Sequence, residues 1–423
     1  GIKYVIDTGL VKVRSYLSKT GMDTLMVTPV SKTSCIQRSG RAGREQPGKC
    51  YHLFPEEEFN NLEAFLKPEI LRCNLSMVVL QLKAIDIDDI QSFEFIDKPK
   101  TSAIERALKE LELLGALNDE GHLTQTIGAR MAELPTEPIF SKLILEATNY
   151  GPVILDQVLT MVAMLSIESV FYSPNSEKKQ AEGLRKQFVV GAGDHLTYLK
   201  VYYKWAENKF RKNWCFSNYI NFRSLKKAQQ IRLQLEDYVE AIMSKNKSYQ
   251  KVHGKKAMLM NGDDSGEEIA DVDCLKGDVA ALMDPAKREE LLSCLIKGLY
   301  MQVAKLNPDN MTYTTILTQQ QVQIHPSSVL FNVKPRPTYV IYNELVITNK
   351  RYMRTLSGIN SHLLFEYAPN FFKEKYINKL EDGQIINQEL SKKRKTPDTP
   401  MSEQSRLSNQ STNSSKKKFK TNQ

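Results

Sequence analysis

The sequence has no CxxC pair and no cysteine–histidine spacing of the kind that binds a metal. Its six cysteines stand apart, at 35, 50, 73, 215, 274 and 294. That excludes a zinc finger and a disulfide-stapled secreted scaffold, and it predicts reduced thiols with no metal ligands. Long apolar runs are also missing. The best, Val153 to Ile167, is broken by Asp156 and Gln157 and is too short to cross a bilayer, and no signal peptide precedes it. The expectation is a soluble protein with no membrane partner. Only two tryptophans occur, Trp205 and Trp214, which read as core or interface anchors. No Ser-His-Asp constellation is present. The folded body also lacks a strong charge: of the net +9, the segment 391–423 carries +7, leaving +2 for the first 390 residues. The high pI describes a tail and does not by itself indicate a nucleic-acid-binding body.

What is present reads as several domains, as 423 residues permit. Gly1, not methionine, stands first, directly before the apolar Tyr4-Val5-Ile6, so we expect a piece of a longer protein that enters a sheet already under way. Tyr4 to Ile6 is predicted as a buried strand closed by Gly9. Lys12 to Tyr16 and Thr24 to Thr28 flank the turn-like Lys19-Thr-Gly21 and predict a β-hairpin. Ser31 can cap a helix ending near Gly40. Ser102 to Leu114 is an amphipathic helix with Ile104, Ala107, Leu108, Leu111 and Leu114 on one face, stopped by Gly115 and followed by a small wing at Leu117 to Thr124. Ile139 to Asp237 is predicted helical throughout, with Leu143, Ile144, Val158, Val162 and Leu165 as core. Residues 261–273 hold six acidic groups and no basic one, a solvated insertion. Asp284-Pro285 opens a helix whose apolar face includes Leu292, Leu295, Ile296 and Leu299. Tyr339 to Tyr342 and Leu345 to Thr348 read as two strands of a small antiparallel barrel over 307–370. The polar chain beyond Glu381 reads as disordered.

The sharpest chemical signal is Gln37-Arg-Ser-Gly-Arg-Ala-Gly-Arg44. Two arginines three apart, separated by small residues after a helix, can project together from a loop that lets phosphate approach. Guanidinium groups pair bidentately with phosphate oxygens and stay charged. In phosphoryl transfer such groups offset charge on the moving phosphoryl, worth about 10³ to 10⁵ in rate.

The octet resembles motif VI of superfamily 2 helicases, and further stretches are similar to the DEAH-box RNA helicases. These are Gly1 to Gly9, Pro68 to Leu75, Leu113 to Leu117, Met131 to Pro135, Gly193 to Thr197, Trp214-Cys215, Ile324 to Phe331 and Tyr342 to Leu345. The resemblance covers roughly residues 1 to 375 and breaks at the acidic insertion. It implies a multidomain α/β and α architecture. The end of a RecA-like lobe would span 1–66, with the β-hairpin and motif VI, and a winged helix 67–135. A helical ratchet bundle would span 136–253, an acidic insertion 254–283, and an OB-like β-barrel with a leading helix 284–380. A disordered basic tail would fill 381–423.

The resemblance further implies that Gln37, Arg41 and Arg44 face the γ-phosphate of ATP, bound with Mg²⁺ in a lobe this chain lacks, while Arg38 holds the motif through local ion pairs. Lys12, Arg14 and Lys19 of the hairpin, and His325, Ser327 and Ser328 of the barrel, are RNA-contact candidates. The alternatives are edge charges that protect the hairpin and turn-forming roles for the His-Pro-Ser-Ser run. His195 is read as a capping or ratchet contact. There is no GxxxxGK[ST] loop and no Asp-Glu-Ala-His run, so the chain alone is expected to be inactive. The implied parent is a monomeric ATP-dependent RNA helicase acting on single strands, with a glycine-patch-type protein activator. Its expected setting is ribosomal RNA or pre-mRNA processing, in the nucleus or more narrowly the nucleolus, with import carried by Lys392 to Lys395 and Lys416 to Lys418. A non-catalytic RNA-binding product and a DNA helicase or nucleic-acid sensor are the competing classes.

Overall fold

The computed structural model describes residues 1–17, 22–244 and 275–368. The expectations for Lys19, for the acidic run and for the tail beyond 381 fall outside the described residues. The chain divides into a unit Gly1–Lys379 and a unit Leu380–Gln423.

Strand β1 (Tyr4–Asp7) leads into the hairpin of β2 (Leu10–Leu17) and β3 (Met22–Pro29), which pair antiparallel from Leu10–Pro29 to Leu17–Met22. Gly9 joins them at φ +71, where a Cβ would also strike the Phe54 ring, so only glycine fits. Helix α1 (Lys32–Ser39) begins where Ser31 Oγ accepts the Ser34 N–H, as the sequence predicts. A 3-10 turn, Gly40–Gly43, then runs to β4 (Lys49–His52), which pairs parallel with β1. Gly48 permits that pairing, since a Cβ there would meet the carbonyls of Ala42 and Lys3. The expected burial of β1 is not found: Tyr4 is 66% and Ile6 69% exposed. A two-stranded parallel sheet with apolar faces in solvent departs from the rule that parallel strands are covered on both sides.

After α2 (Glu56–Asn61) come α3 (Ser76–Ala84), α4 (Thr101–Leu113) and α5 (Gly128–Glu133). Helix α4 buries Ile104, Ala107 and Leu111, and Leu108 is half-buried, so the 3.6-residue spacing gives the packing face. Burial of Ile104 and Leu111 is worth about 1.5–3 kcal/mol each. Gly115, at φ +75, ends the helix. The wing follows as a bridge between Leu117 and Leu123, its turn held by Asn118 Oδ1 accepting from the Glu120 and His122 N–H groups.

The helical bundle comprises α6 (Pro138–Ala147), α7 (Pro152–Leu165), α8 (Lys178–Arg185), α9 (Asp194–Glu207), α10 (Lys212–Ser217) and α11 (Phe222–Ser244). It is not helical throughout. Residues 166–173 link α7 to the next turn and include an isolated bridge from Phe171 to Ile220. Asp156, which interrupts the apolar run of α7, is buried against Arg232 of α11 and accepts from Tyr203 Oη and the Gly277 N–H. Buried charge survives there because both carboxylate oxygens have donors, one of them a guanidinium. Trp205 is a core residue at 1% exposure, and half-buried Trp214 packs edge-on to Phe188.

The end of the stretch expected as linker folds instead into α12 (Val279–Met283), capped by Asp278. Helix α13 (Pro285–Leu299), capped by Asp284, packs mainly on α6. Strands β5 (Val303–Leu306), β6 (Tyr313–Thr315), β7 (Gln321–Ile324), β8 (Tyr339–Ile347) and β9 (Arg351–Ile359) then precede α14 (Ser361–Tyr367). The two apolar segments read as separate strands are the halves of one strand, β8. In the order β8-β5-β6-β7-β9, with β9 returning to β8, five strands close into a barrel. Its interior is filled by Tyr313, Val322, Ile324, Val340, Tyr342, Met353 and Leu356. Past the end of β5, β8 pairs with β3 through Asp23–Val346 and Thr24–Ile347, so the hairpin extends the barrel sheet.

Candidate functional site

Helix α1 is held from beneath. Cys35 is fully buried, and the backbone N–H groups of Lys32 and Thr33 donate to the carbonyls of Glu63 and Ala64. Arg38 turns inward: Nη1 donates to Asp7 Oδ1 at 2.6 Å and Nη2 to the Leu10 carbonyl at 3.1 Å. Burial alone would raise the pKa of Asp7, but the Gly9 N–H and the Arg38 guanidinium outweigh it, and the carboxyl sits below its ordinary value. Arg38 is thus a positioning residue that ties α1 to β1 and β2.

Gln37, Arg41 and Arg44 do the opposite. All three are exposed, and among the described residues none has a hydrogen-bond or ion-pair partner. The spacing i, i+4, i+7 keeps them on one side of the helix and the turn that continues it, where residues three apart eclipse. Ala42, 2% exposed, anchors the turn. Among the described residues a Cβ built on Gly40 or Gly43 would meet nothing, and both have ordinary backbone angles, so nothing there requires glycine at either position. What the two glycines leave open is the outer approach to the arginines.

The hairpin candidates separate. Lys12 is exposed on β2, with no partner among the described residues. Arg14 Nη2 lies 3.2 Å from Glu344 Oε2, and the other oxygen of Glu344 takes Arg354 at 2.9 Å. Arg14 therefore ties the hairpin to the barrel. Arg72, ahead of α3, and Arg106 of α4 tie it to the helices that follow, through the Arg14 carbonyl and Tyr16 Oη. Sequence reading missed this clamp because its members lie 58 to 330 residues apart.

In the barrel loop, His325 Nδ1 accepts the Ser327 N–H at 3.1 Å, and the Ser327 carbonyl accepts from Arg185, a turn with its outer side open. Burial lowers the pKa of His325 below its ordinary value. Ser328 is a correction: it is buried, and its hydroxyl donates to Asp194 Oδ2 at 2.6 Å, so it has no free group to offer RNA. Asp194 also accepts the N–H groups of Val329 and Leu356. Its neighbour His195 is fully buried against Ser357, and burial depresses its pKa to about 4. Gly193-Asp-His is therefore a seam between bundle and barrel.

The sequence matches three families. The helicase associated domain (HA2), winged-helix, matches residues 107–136; the helicase associated domain (HA2), ratchet-like, 137–198; and the oligonucleotide/oligosaccharide-binding (OB)-fold, 291–371. Residues 107–136 and the first part of the bundle thus match helicase-associated domains, and the barrel matches an OB-fold. Among relatives, a pre-mRNA-splicing factor ATP-dependent RNA helicase, DEAH10, of Arabidopsis thaliana is 41% identical over 387 residues. The Homo sapiens ATP-dependent RNA helicase DHX33 is 38% identical over 377 residues, and the Homo sapiens probable ATP-dependent RNA helicase DHX35 is 35% identical over 374. Each match covers 88% or 89% of this chain and 48% of the relative, so the chain spans about half the length of the curated relatives it matches. The chain belongs to the DEAH-box helicase family and corresponds to that family's C-terminal region.

Proposed function

We propose that residues 1–66 complete the second RecA-like lobe of an ATP-dependent RNA helicase, and that Gln37, Arg41 and Arg44 reach the γ-phosphate of ATP held by a partner lobe. The observation that carries this is the outward, unpartnered set of Gln37, Arg41 and Arg44 beside glycines with no internal reason to be glycine. Uncovered β1 and β4 support it. Tyr4, Ile6, Tyr51 and Leu53 in solvent are the face that further strands and helices of such a lobe would cover.

Two exposed guanidinium groups on one side of a turn suit a polyphosphate. Held by Arg38 and Ala42 from behind, they need no rearrangement to meet it, and preorganised charge is what stabilises a phosphoryl transition state. Mg²⁺ would accompany the nucleotide and neutralise its β and γ oxygens, with its protein ligands supplied by the other lobe. In the parent, closure of the lobes is transmitted through the hairpin, which is bonded to both the barrel and the winged-helix segment. Single-stranded RNA is gripped through its backbone, by Lys12 and the His325–Ser327 turn. The parent works as a monomer in nuclear pre-mRNA or ribosomal RNA processing, extending to the nucleolus, with a glycine-patch-type activator.

ATP hydrolysis stimulated by single-stranded RNA is the test. The chain alone turns over no ATP; joined to a half bearing the phosphate loop and the Asp-Glu-Ala-His run, it does. Turnover by the isolated chain contradicts the assignment.

A further inference from the structure

We propose that Asp7, Cys35 and His52 form a site for one Zn²⁺ ion that clips helix α1 to strands β1 and β4. Each residue offers one donor atom, and the three atoms lie within 4.8 Å of one another. Ligands at about 2.0–2.3 Å from a tetrahedral ion stand roughly 3.3–3.8 Å apart. Asp7 Oδ2 and His52 Nδ1 are 3.5 Å apart, and the widest pair needs to close by no more than about 1 Å, within reach of small side-chain rotations.

The two oxygens of Asp7 are treated unequally. Its side chain has no exposed surface. Oδ1 is saturated by the Gly9 N–H at 3.0 Å and by Arg38 at 2.6 Å, whereas buried Oδ2 takes no N–H or O–H donor; the Cys35 thiol hydrogen-bonds the carboxylate, and His52 Nδ1 stands 3.5 Å from Oδ2. A buried carboxylate oxygen with only a weak thiol donor is poorly satisfied, and this one lies beside both that thiol and an imidazole nitrogen. Arg38 does not compete, because it occupies the other oxygen; the carboxylate would bridge guanidinium and metal.

The histidine is oriented for the role. Nε2 lies 3.4 Å from Ser39 Oγ and 3.7 Å from Cys50 Sγ, which leaves Nδ1 for the ion. Metal-bound histidines are held in this way through their second nitrogen. A sulfur, a nitrogen and a carboxylate oxygen favour Zn²⁺ over Mg²⁺ or Ca²⁺, with water in the fourth position. Without metal, burial, helped by Asp7, pushes the Cys35 thiol up to about 11. Binding replaces that thiol proton with the ion, so one proton is released per ion and affinity rises with pH. Spacing analysis misses the site because its members lie 17 to 45 residues apart on three elements. None of the three ligands is Gln37, Arg41 or Arg44, so the site stands or falls apart from the nucleotide reading.

Equilibrium dialysis of the metal-stripped chain against Zn²⁺, and absorption of its Co²⁺ form, test the proposal. The wild type should bind one ion and show thiolate-to-cobalt charge transfer with tetrahedral d–d bands. Cys35→Ser and His52→Gln should each weaken binding by more than about 100-fold, beyond what an outer-shell change does. Cys50→Ser should keep the ion. His52 is partly exposed, so its variant should fold even where Cys35→Ser does not, and circular dichroism checks both. A folded wild type without the thiolate band overturns the proposal. So does a folded His52→Gln that binds as tightly, or a Cys50→Ser that alone loses the metal.

Discussion

Asp194, at the first turn of a bundle helix, accepts the Ser328 hydroxyl at 2.6 Å from the barrel 134 residues away. The same carboxylate takes the N–H groups of Val329 and Leu356, both at 2.8 Å, so one side chain joins the ratchet-like and OB-fold domains. Asp194→Ala would leave two N–H groups without acceptors and should cost about 3–5 kcal/mol. Asp194→Asn, which keeps one acceptor oxygen, should cost less. Urea unfolding of the three proteins measures the order.

The adjacent histidine gives the seam a pH dependence. Burial holds His195 at about 4 in the folded chain, against an ordinary 6.5. As pH falls through 6.5, the unfolded chain takes up a proton that the folded chain refuses until about 4. Stability from this group is therefore complete above the unfolded value and falls away over that window, by about 3 kcal/mol. His195→Asn, which cannot titrate, should lose that part of the acid sensitivity. Unfolding midpoints at pH 7 and pH 4.5 compare them; parallel slopes for both proteins would contradict the assignment.

The RNA-contact candidates should divide as the geometry divides them. Lys12→Ala should weaken single-stranded RNA binding and lower the salt slope by about 0.7, one phosphate contact. Ser328→Ala should leave affinity unchanged and reduce stability, because its hydroxyl serves Asp194. Filter binding over a salt series, with a thermal melt of each variant, separates the outcomes.

How much of this was legible in the sequence depended on the range of the interaction. Local chemistry was readable: Ser31 capping α1, Asp284-Pro285 opening α13, and the stripe Ile104, Ala107 and Leu111 with Gly115 as its stop. The run Gln37 to Arg44 stood out because its residues are contiguous. The barrel was readable only as alternation. Asn343 and Glu344 split the polarity of β8 and made one strand look like two, although Glu344 faces Arg14 and Arg354. The hairpin's continuation into that barrel, Asp23 against Val346, has no local signature. Nor does the burial of Ser328, which looks like a turn residue until Asp194 is placed beside it. The exposure of β1 was misread for the opposite reason: Tyr4-Val-Ile carries a buried strand's composition, and the described residues provide no layer to cover it.

The outward guanidinium of Arg41 is the centre of the functional account, and the inward Arg38 is its control. Substituted in the parent enzyme, Arg41→Ala should lower RNA-stimulated ATP turnover by about 10³-fold or more. RNA affinity and melting temperature should change little, since Arg41 has no partner among the described residues. Arg38→Ala should instead lower the melting temperature, by stranding Asp7. If Arg41→Ala weakens turnover and RNA binding equally, or melts the protein as Arg38→Ala does, Arg41 is not facing a nucleotide.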